Sequence, residues 1–423
     1  MAGRVTAHPA ARCDAAVVGA GAAGLATAVF ARRANAALDL LLLDGAARPG
    51  AKILVSGGSR CNVTNTIVTE RDFNGGSRAV IRRILRAFPA SRAADFFRDL
   101  GVPLHEEAGG KLFPDSNRSR DVLDALLREV TRVGATLLAG HRVLDLQRDG
   151  NGFLLVTNRG RVSAARVVLA TGGKSLPKTG SDGFGLELAR RLGHHVIETT
   201  PALAPLVVAE SEPLHRRLTG VAQDVEIAIW IEGAVATRVR GAMLWTHVGV
   251  SGPAALDASR HWARARVDAR RVEVTIAFEP GRTFEDVDAA WTRAAAEHPR
   301  TSAHAWLARA MPASAAHALL DALAIDGAVA LAHLARDDRR RLAHALTAYP
   351  LPVTDTRGYT FAEATAGGVA LDEVDPATLE SRVCPGLHLV GEMLDVDGRL
   401  GGFNFQWAWS TGYVAGSALA RLC

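Results

Sequence analysis

A glycine motif near the start of the sequence constrains the fold more than any other feature. It follows the apolar segment AAVV and precedes an Ala-rich segment with helical spacing. In a strand–turn–helix unit, the first glycine permits the tight turn, the second admits a diphosphate to the backbone, and the third lets the helix pack on the strand. Unpaired N–H groups and the helix dipole then favour an anion. The motif predicts a Rossmann-like dinucleotide site at Gly19, Gly21, Ala22, Ala23 and Gly24.

An acidic residue follows at the spacing that such a site requires. The segment LDLLLLD is a predicted strand that ends at Asp44, 20 residues after Gly24. A carboxylate at this point accepts hydrogen bonds from ribose hydroxyls and disfavours a 2′-phosphate. Asp44 therefore favours the adenosine of FAD or NAD over that of NADP, and leaves the choice between FAD and NAD open.

Two distant segments favour FAD. RVVLATGGKS is a predicted strand that runs into Thr171, Gly172 and Gly173, and CPGLHLVGEMLDVDG is a second one that ends at Gly391 and Glu392, with Asp395 nearby. In a two-dinucleotide-binding flavoprotein, strands at these places return the chain to the cofactor and bring an acid near its pyrophosphate and ribityl groups. An NAD dehydrogenase needs neither strand, so the three segments together predict FAD.

The rest of the chain predicts an insertion into an α/β fold. Apolar spacing indicates helices over 78–88, 91–100 and 121–133, and then a β-meander with a hairpin turn at 158–160 and a last apolar strand over 167–170. Prolines 201, 205 and 213 mark a boundary. We therefore predict a two-dinucleotide-binding-type FAD domain made of residues 1–200 and 351–423, with an inserted substrate region that is β-rich over 201–280 and helical over 281–350.

The cysteines and one uncharged stretch indicate whether the protein binds a metal and where it is located. Cys13, Cys61, Cys384 and Cys423 are too scattered for a disulfide scaffold or a CxxC metal site, which predicts no metal and a cytoplasmic location. The uncharged stretch 15–31 is shorter than the ~20 residues that a spanning helix needs, and glycines interrupt it. It therefore predicts neither a membrane segment nor a targeting peptide.

Several longer motifs resemble a known family. They are GAKILVSGGSRCNVTN at 50–65, TGG at 171–173, THVGVSGP at 246–253, GEMLDVDG at 391–398 and GGFNFQWA at 401–408. In this order they resemble the BaiN-like flavoproteins, also called the HI0933-like or YhiN family of NAD(P)/FAD-dependent oxidoreductases. The resemblance spans residues 14–417 and departs at Ser59, where the family usually has Gly, and at Phe403, where Tyr is common. It implies tightly bound FAD and the three-part architecture. Some members resemble bile-acid C=C reductases, and others are linked to dihydrouridine formation in ribosomal RNA.

Two of these motifs supply further candidate cofactor contacts. The glycine-rich segment 50–65 is predicted to be a loop that faces the flavin, although an ordinary polar connection would read the same way; its candidates are Lys52, Ser56, Gly57, Arg60, Cys61 and Asn62. Cys61 is either a proton donor or redox partner beside the flavin, or a small packed residue. A helix predicted over 405–419 would stabilise negative charge on the flavin through its N-terminal dipole. Its candidates are Gly402, Asn404, Phe405 and Gln406.

The predicted reaction is reduction of an activated C=C bond by hydride transfer from flavin N5. His247 is the candidate general acid, because imidazole titrates near neutrality, although a structural histidine beside a helix cap is the alternative. A second dinucleotide motif is absent from the sequence, so NAD(P)H would act as a transient donor. The substrate is either a small or polycyclic enone or a uridine of ribosomal RNA, whose phosphates the Arg-rich runs 263–271 and 336–341 would contact. A non-catalytic, FAD-stabilised binding or scaffold protein is the alternative from another class.

Overall fold

The computed structural model describes residues 11–421, so Cys423 lies outside it. These residues form two compact units. The first unit contains the chain up to Thr199 and again from Glu363, and the second is Thr200–Ala362. No helix in the described part of the chain has the length and hydropathy needed to span a bilayer. Residues 11–421 also contain no cluster of three or more His, Cys, Asp or Glu side chains suited to a metal ion.

The helices and strands are numbered along the chain. The helices are α1 (Ala22–Ala34), α2 (Ala51–Ser59), α3 (Arg78–Ala87), α4 (Ala90–Asp99), α5 (Ser119–Arg132), α6 (Phe184–Arg191), α7 (Leu214–Arg217), α8 (Pro253–Val267), α9 (Phe284–Glu297), α10 (Ala303–Leu307), α11 (Ala313–Ala322), α12 (Arg336–Ala348) and α13 (Phe403–Leu419). The strands are β1 (Ala11–Val18), β2 (Leu40–Asp44), β3 (Thr64–Asn65), β4 (Phe73–Gly75), β5 (Leu104–Glu107), β6 (Lys111–Pro114), β7 (Thr136–Ala139), β8 (Val143–Asp149), β9 (Gly152–Thr157), β10 (Gly160–Leu169), β11 (Val196–Ala202), β12 (Leu206–Val208), β13 (Ala222–Ile231), β14 (Ala234–Thr246), β15 (Gly249–Ser251), β16 (Val272–Ala277), β17 (Tyr349–Pro350), β18 (Val353–Thr356), β19 (Ala364–Val369), β20 (Leu387–Leu389) and β21 (Val396–Gly398).

The main sheet of the first unit has the mixed order of a Rossmann-like flavin-binding fold. Its order is β7-β2-β1-β10-β9-β8, and β20 also pairs with β10. The pairs among β7, β2, β1, β10 and β20 are parallel, whereas β9 pairs antiparallel with both β8 and β10. Strand β1 lies between β2 and β10, and β20 also pairs with β10. Because all of these pairs are parallel, the carboxyl ends of the strands lie at one edge of the sheet. Ligands of open α/β sheets bind at this edge.

The predicted meander is corrected in one respect. The predicted separate strand over 167–170 is the second half of β10, which runs unbroken over ten residues. The segment from Gly160 to Ala164 pairs with β9, and the segment from Val167 to Leu169 pairs with β20. Arg166, between these segments, interrupts the apolar pattern but not the backbone, because β10 pairs with β1 from Val162 to Leu169.

Two glycines let the first and last helices of the first unit meet backbone to backbone. A Cβ on Gly412 would lie 2.7 Å from Ala26 Cβ and 2.9 Å from Ala23 O. A Cβ on Gly416, one turn later, would lie 2.7 Å from Thr27 O. Small residues four apart allow this close helix crossing, and α13 therefore packs on α1 along its length.

The second unit is built on an antiparallel sheet. Its order is β17-β16-β13-β14-β15-β12-β18. Strand residues such as Ile227 and Trp245 share one apolar core with helix residues such as Trp262, Trp291 and Leu346, each of which is at most 5% exposed. The strands from β12 to β16 lie within residues 206–277, and α9 to α12 lie within 284–348.

Candidate functional site

The glycine motif forms a turn in which each glycine has a distinct steric role. Gly19 has φ +104°, and a Cβ there would lie 2.6 Å from Ala170 O at the end of β10. A Cβ on Gly24 would lie 1.8 Å from Gly19 O, so only glycine lets α1 start this close to the turn. A Cβ on Gly21, in contrast, has no heavy atom within 4 Å.

The space beside Gly21 fits a diphosphate. Gly21 is the N-cap of α1 and has no side-chain capping bond, and the first turn of α1 carries no acidic residue. The first N–H groups of a helix have no partner within it, which leaves those of Ala22, Ala23 and Gly24 for a ligand. An open cradle, unpaired amides and a helix dipole are the donor set that binds phosphate oxygens.

Asp44 lies at the end of β2, beside this turn. Its Oδ2 accepts a hydrogen bond from Ala20 N at 2.7 Å, and its Oδ1 accepts one from Ala46 N at 2.7 Å. Each carboxylate oxygen has a second lone pair. Asp44 therefore braces the glycine turn and keeps acceptor capacity for ribose hydroxyls.

The C-terminal motif lies directly against the first turn of α1. Gly391 has φ +64°, and a Cβ on it would lie 2.8 Å from Ala23 Cβ. Trp407 Nε1 donates to Gly391 O at 3.1 Å, and Val390 N donates to Leu169 O at 3.2 Å. The structure therefore brings together two predicted motifs, at 19–24 and at 391–398, from opposite ends of the chain.

Lys52 and Glu392 form an ion pair between two predicted cofactor motifs. Lys52 Nζ lies 2.6 Å from Glu392 Oε2 and donates to Ser175 Oγ at 2.5 Å. Ser175 Oγ and Thr365 N donate to Glu392 Oε1 at 2.9 and 2.6 Å. Sequence reasoning missed Ser175 and Thr365. Ser175 follows the predicted TGG turn, and the glycine pair that follows Thr365 is the signal that could have indicated a close approach.

The turn after β10 is packed against the same segment. A Cβ on Gly173 would lie 2.4 Å from Thr365 Oγ1, and one on Gly172 would lie 2.7 Å from Ser181 Oγ. Thr171 Oγ1 points at Met393 Sδ, 2.9 Å away. The three predicted residues thus line the turn that adjoins the Glu392 carboxylate, and a direct cofactor contact for them stays a prediction.

The predicted loop after Gly50 is corrected to a helix followed by a left-handed turn. The backbone is helical from Ala51 to Val55, and Gly50 enters the helix with φ +79°. Gly57 and Gly58 then have φ of +53° and +66°, and Cys61 N closes the turn by donating to Ser56 O at 3.1 Å. The glycines favoured a loop prediction, but they lie after the helical part.

Ser59 extends this left-handed turn with φ +66°. A side chain in this region crowds the following carbonyl, which costs about 1–2 kcal/mol relative to glycine, and the flexibility of glycine in the unfolded chain offsets about half of that. We expect Ser59→Gly to raise the free energy of unfolding by about 0.5–1 kcal/mol in urea denaturation. Ser77→Gly, where φ is −57°, should lower it instead. A stabilisation by both changes, or by neither, would contradict this explanation.

Arg60, a predicted cofactor contact, has partners within the protein. Its guanidinium lies 2.5 Å from Glu107 Oε1 and 4.1 Å from the centre of the Phe113 ring. The hydrogen bond from Arg60 lowers the pKa of Glu107. Arg60 therefore fastens the left-handed turn to the β5–β6 hairpin, and its cofactor contact stays a prediction.

Cys61 is fully buried, and burial raises the pKa of its thiol to about 12. The thiolate is the reactive form, so the group stays protonated and inert up to strongly alkaline pH. We expect native protein to resist alkylation of Cys61 between about pH 6 and 9, and urea-unfolded protein, in which the thiol regains its ordinary pKa, to react. Mass spectrometry of the alkylated peptide measures both. Fast native labelling would refute this interpretation, which favours the packed residue over the proton donor.

The N-terminus of α13 meets the segment that follows Cys61. The helix begins at Phe403, two residues earlier than predicted, and its N-cap Gly402 has φ +90°. In the amide orientation that gives both its nitrogen and its oxygen a hydrogen-bond partner, Asn62 donates to Thr64 O at 2.8 Å and accepts from Gly402 N at 3.0 Å. Asn404 binds the backbone of Gly398 through both ends of its amide. Two predicted cofactor segments are thus in contact, with the helix N-terminus between them.

Two further predicted cofactor contacts, Gln406 and Asp395, are buried. Gln406 is fully buried, and its Nε2 donates to Phe88 O and Ser410 Oγ, which uses both N–H groups. Asp395 is 8% exposed beside the turn at Gly75. The Gln406 side chain thus joins α13 to the backbone of Phe88, and its predicted cofactor contact stays a prediction. Phe405 stacks on Trp409 with ring centres 5.6 Å apart.

His247 belongs to the second unit. It is exposed in the turn between β14 and β15. The helix after it begins at Pro253 with Gly252 as N-cap and no side-chain cap, so the histidine is not part of a capping arrangement. Its assignment as general acid stays a prediction.

The Arg-rich runs have acidic partners within the protein. The ion pairs of these runs are Arg264–Asp268 at 3.6 Å, Arg271–Glu273 at 2.8 Å, Arg339–Asp288 at 2.8 Å and Arg341–Asp338 at 2.5 Å. Paired guanidinium groups contribute less to counterion release from nucleic acid. These pairs favour the interpretation of both runs as solvated protein surface.

Comparisons with known proteins agree with this geometry. Residues 13–418 match the family model described as the HI0933-like protein Rossmann domain. The chain is 33% identical over 405 residues to the 3-dehydro-bile acid delta(4,6)-reductase of Clostridium scindens, covering 96% of this chain and 98% of that protein. It is also 33% identical over 408 residues to the ribosomal RNA dihydrouridine synthase of Escherichia coli, with the same coverage. The fold is similar to FrdA of Escherichia coli quinol fumarate reductase, with a TM-score of 0.51 and 15% identity over 98% of this chain and 71% of that one.

Proposed function

This chain belongs to the HI0933-like family of FAD-dependent oxidoreductases, and from that premise we propose that it reduces a carbon–carbon double bond conjugated to a carbonyl group. The similarity to two relatives over nearly the whole chain carries the proposal. A delta(4,6)-reductase of a 3-dehydro-bile acid and a dihydrouridine synthase, as their names describe them, both saturate a C=C bond beside a carbonyl. This shared bond type is the substrate feature that we infer.

Bound FAD would supply the hydride that such a reduction requires. The residues of the chain bind and orient the cofactor. The N–H groups at the start of α1 would hold the diphosphate beside Gly21, and Asp44 would accept hydrogen bonds from the ribose. The N-terminus of α13 offers backbone donors and a positive dipole end to the flavin. His247 remains our candidate for the proton that the second carbon needs, since the Cys61 thiol is too weak an acid.

Between the two substrate classes we favour a small or polycyclic enone. Four of the eight arginines in the runs that would contact RNA phosphates form ion pairs with acids of the protein. The 33% identity to the dihydrouridine synthase keeps ribosomal RNA as the second candidate. NAD(P)H is our proposed electron donor, and a cytoplasmic location our proposed setting.

Anaerobic stopped-flow spectroscopy tests the proposal. We expect NADH or NADPH to bleach the flavin bands, and a 3-oxo-Δ4 steroid to restore them with formation of the saturated ketone. Reoxidation by a ribosomal RNA fragment and not by the steroid would shift the substrate to RNA. If dithionite-reduced protein is reoxidised by neither, the non-catalytic scaffold is the better description.

A further inference from the structure

The Lys52–Glu392 pair is the centre of a polar cluster that joins four segments of the first unit. Lys52 lies in the first turn of α2, Ser175 follows β10, Thr365 lies in β19, and Glu392 follows β20. Ser175 and Thr365 are fully buried, whereas the side chains of Lys52 and Glu392 are 27% and 19% exposed. In the sequence, Lys52 and Glu392 are 340 residues apart.

The donors around Glu392 leave its carboxylate little capacity for a ligand. Oε1 accepts from Ser175 Oγ and Thr365 N, and Oε2 accepts from Lys52 Nζ. The neighbouring Gly391 packs on Ala23 in the phosphate-binding turn of α1. Glu392 therefore lies beside the cofactor cradle with its carboxylate engaged by protein donors, one of which is Lys52.

Lys52, in contrast to Glu392, keeps hydrogen-bonding capacity for a ligand. An ammonium group has three N–H donors, and the two hydrogen bonds from Nζ go to Glu392 and Ser175. One donor and the partial exposure of the side chain remain for a bound molecule. The compact ammonium donates to acceptors from two different segments, one after β10 and one after β20.

We propose that Glu392 is a positioning residue that acts through Lys52, and that the two side chains support the FAD site as a single unit. The inference rests on the proposed function only in that the protein binds FAD. Loss of either partner leaves the other charge partly buried without its counterion, which is strongly destabilising, whereas loss of both removes the mismatch. Independent cofactor ligands would behave differently, because the effects of independent sites add.

A double-mutant cycle on FAD affinity tests this. Apoprotein of the wild type, Lys52→Met, Glu392→Gln and the double variant is titrated with FAD, and flavin fluorescence gives each dissociation constant. We expect each single change to weaken binding about tenfold or more, and the double variant to bind at least as tightly as the weaker single variant. Effects that multiply, or single changes below about twofold, would overturn the inference. A wild-type apoprotein that does not bind FAD would instead overturn the proposed function.

Two further variants keep the test decisive. Glu129→Gln is the matched control, because Glu129 is 5% exposed and pairs with Arg33 in the last turn of α1, away from the cradle. It should lower the melting temperature and leave FAD affinity within about twofold. If Glu392→Gln does not melt cooperatively as apoprotein, Ser175→Ala replaces it in the cycle, since it removes one acceptor from Lys52 and one donor to Glu392 and leaves no unpaired charge. Additive loss with Lys52→Met would then overturn the inference.

Discussion

A Gly24→Ala variant is expected to lose bound FAD and much of its stability together. The added Cβ would lie 1.8 Å from Gly19 O and 3.0 Å from Gly19 C, both backbone atoms of the turn that holds the phosphate. Backbone does not yield as a flexible side chain does, so α1 must shift away from β1. We expect FAD affinity to fall at least about 100-fold, equivalent to about 2.7 kcal/mol, and the free energy of unfolding of the apoprotein to fall by about 2 kcal/mol or more. Fluorescence titration and urea denaturation measure these.

Gly21→Ser is the contrast that separates ligand exclusion from damage to the fold. Its Cβ meets no protein atom within 4 Å, φ is −82°, and serine is a good N-cap residue. The apoprotein should therefore melt at or above the wild-type temperature while FAD binding falls at least tenfold, because the side chain occupies the diphosphate cradle. Normal FAD affinity in this variant would mean that the phosphate lies elsewhere.

Gly416→Val is expected to be the most destabilising change away from the cradle. Even the first carbon of the side chain would lie 2.7 Å from Thr27 O and 2.9 Å from Ala31 N on the opposing helix. Valine adds two methyl groups to that collision, and we expect the free energy of unfolding to fall by about 3 kcal/mol. FAD retention should fall as well, because the same two helices begin at the cofactor cradle.

Ser417→Val is the control for this change. It is one position further along α13, partly exposed, and introduces the same β-branched residue into the helix. Its expected cost is below about 1 kcal/mol, the loss of helix propensity alone. Equal destabilisation by the two changes would show that the low helix propensity of valine is the cause, and not the close crossing of the helices.

Local patterns in the sequence were enough to predict the turns that meet at one edge of the main sheet. The glycine motif with Asp44, the turn at Thr171 and the turn at Gly391 are each recognisable from a few adjacent residues, because a tight turn and a close approach restrict residue type. Their convergence at one edge of the main sheet follows from parallel pairing. The same reasoning placed the start of α13 within two residues.

Side-chain partners across the fold were not predictable in the same way. Arg60 is a plausible phosphate ligand in sequence, and only tertiary structure shows that Glu107 pairs with it. The carboxylate of Glu392 meets Thr365 and Ser175 through strand order rather than through spacing. Gln406 lies in the predicted helix, but a helix start does not indicate which face turns inward, and this face is the buried one.

The crossing of α1 and α13 has a consequence for how the protein is made. Phe403 follows Ala34 by 369 residues, so a ribosome finishes the first helix long before its main packing partner exists. During that interval the Ala-rich face of the first helix has no permanent cover, and domains emerging from the ribosome meet chaperones in this condition. Nascent chains halted before residue 403 should therefore be unable to retain the yellow cofactor, however well their central sheet has formed.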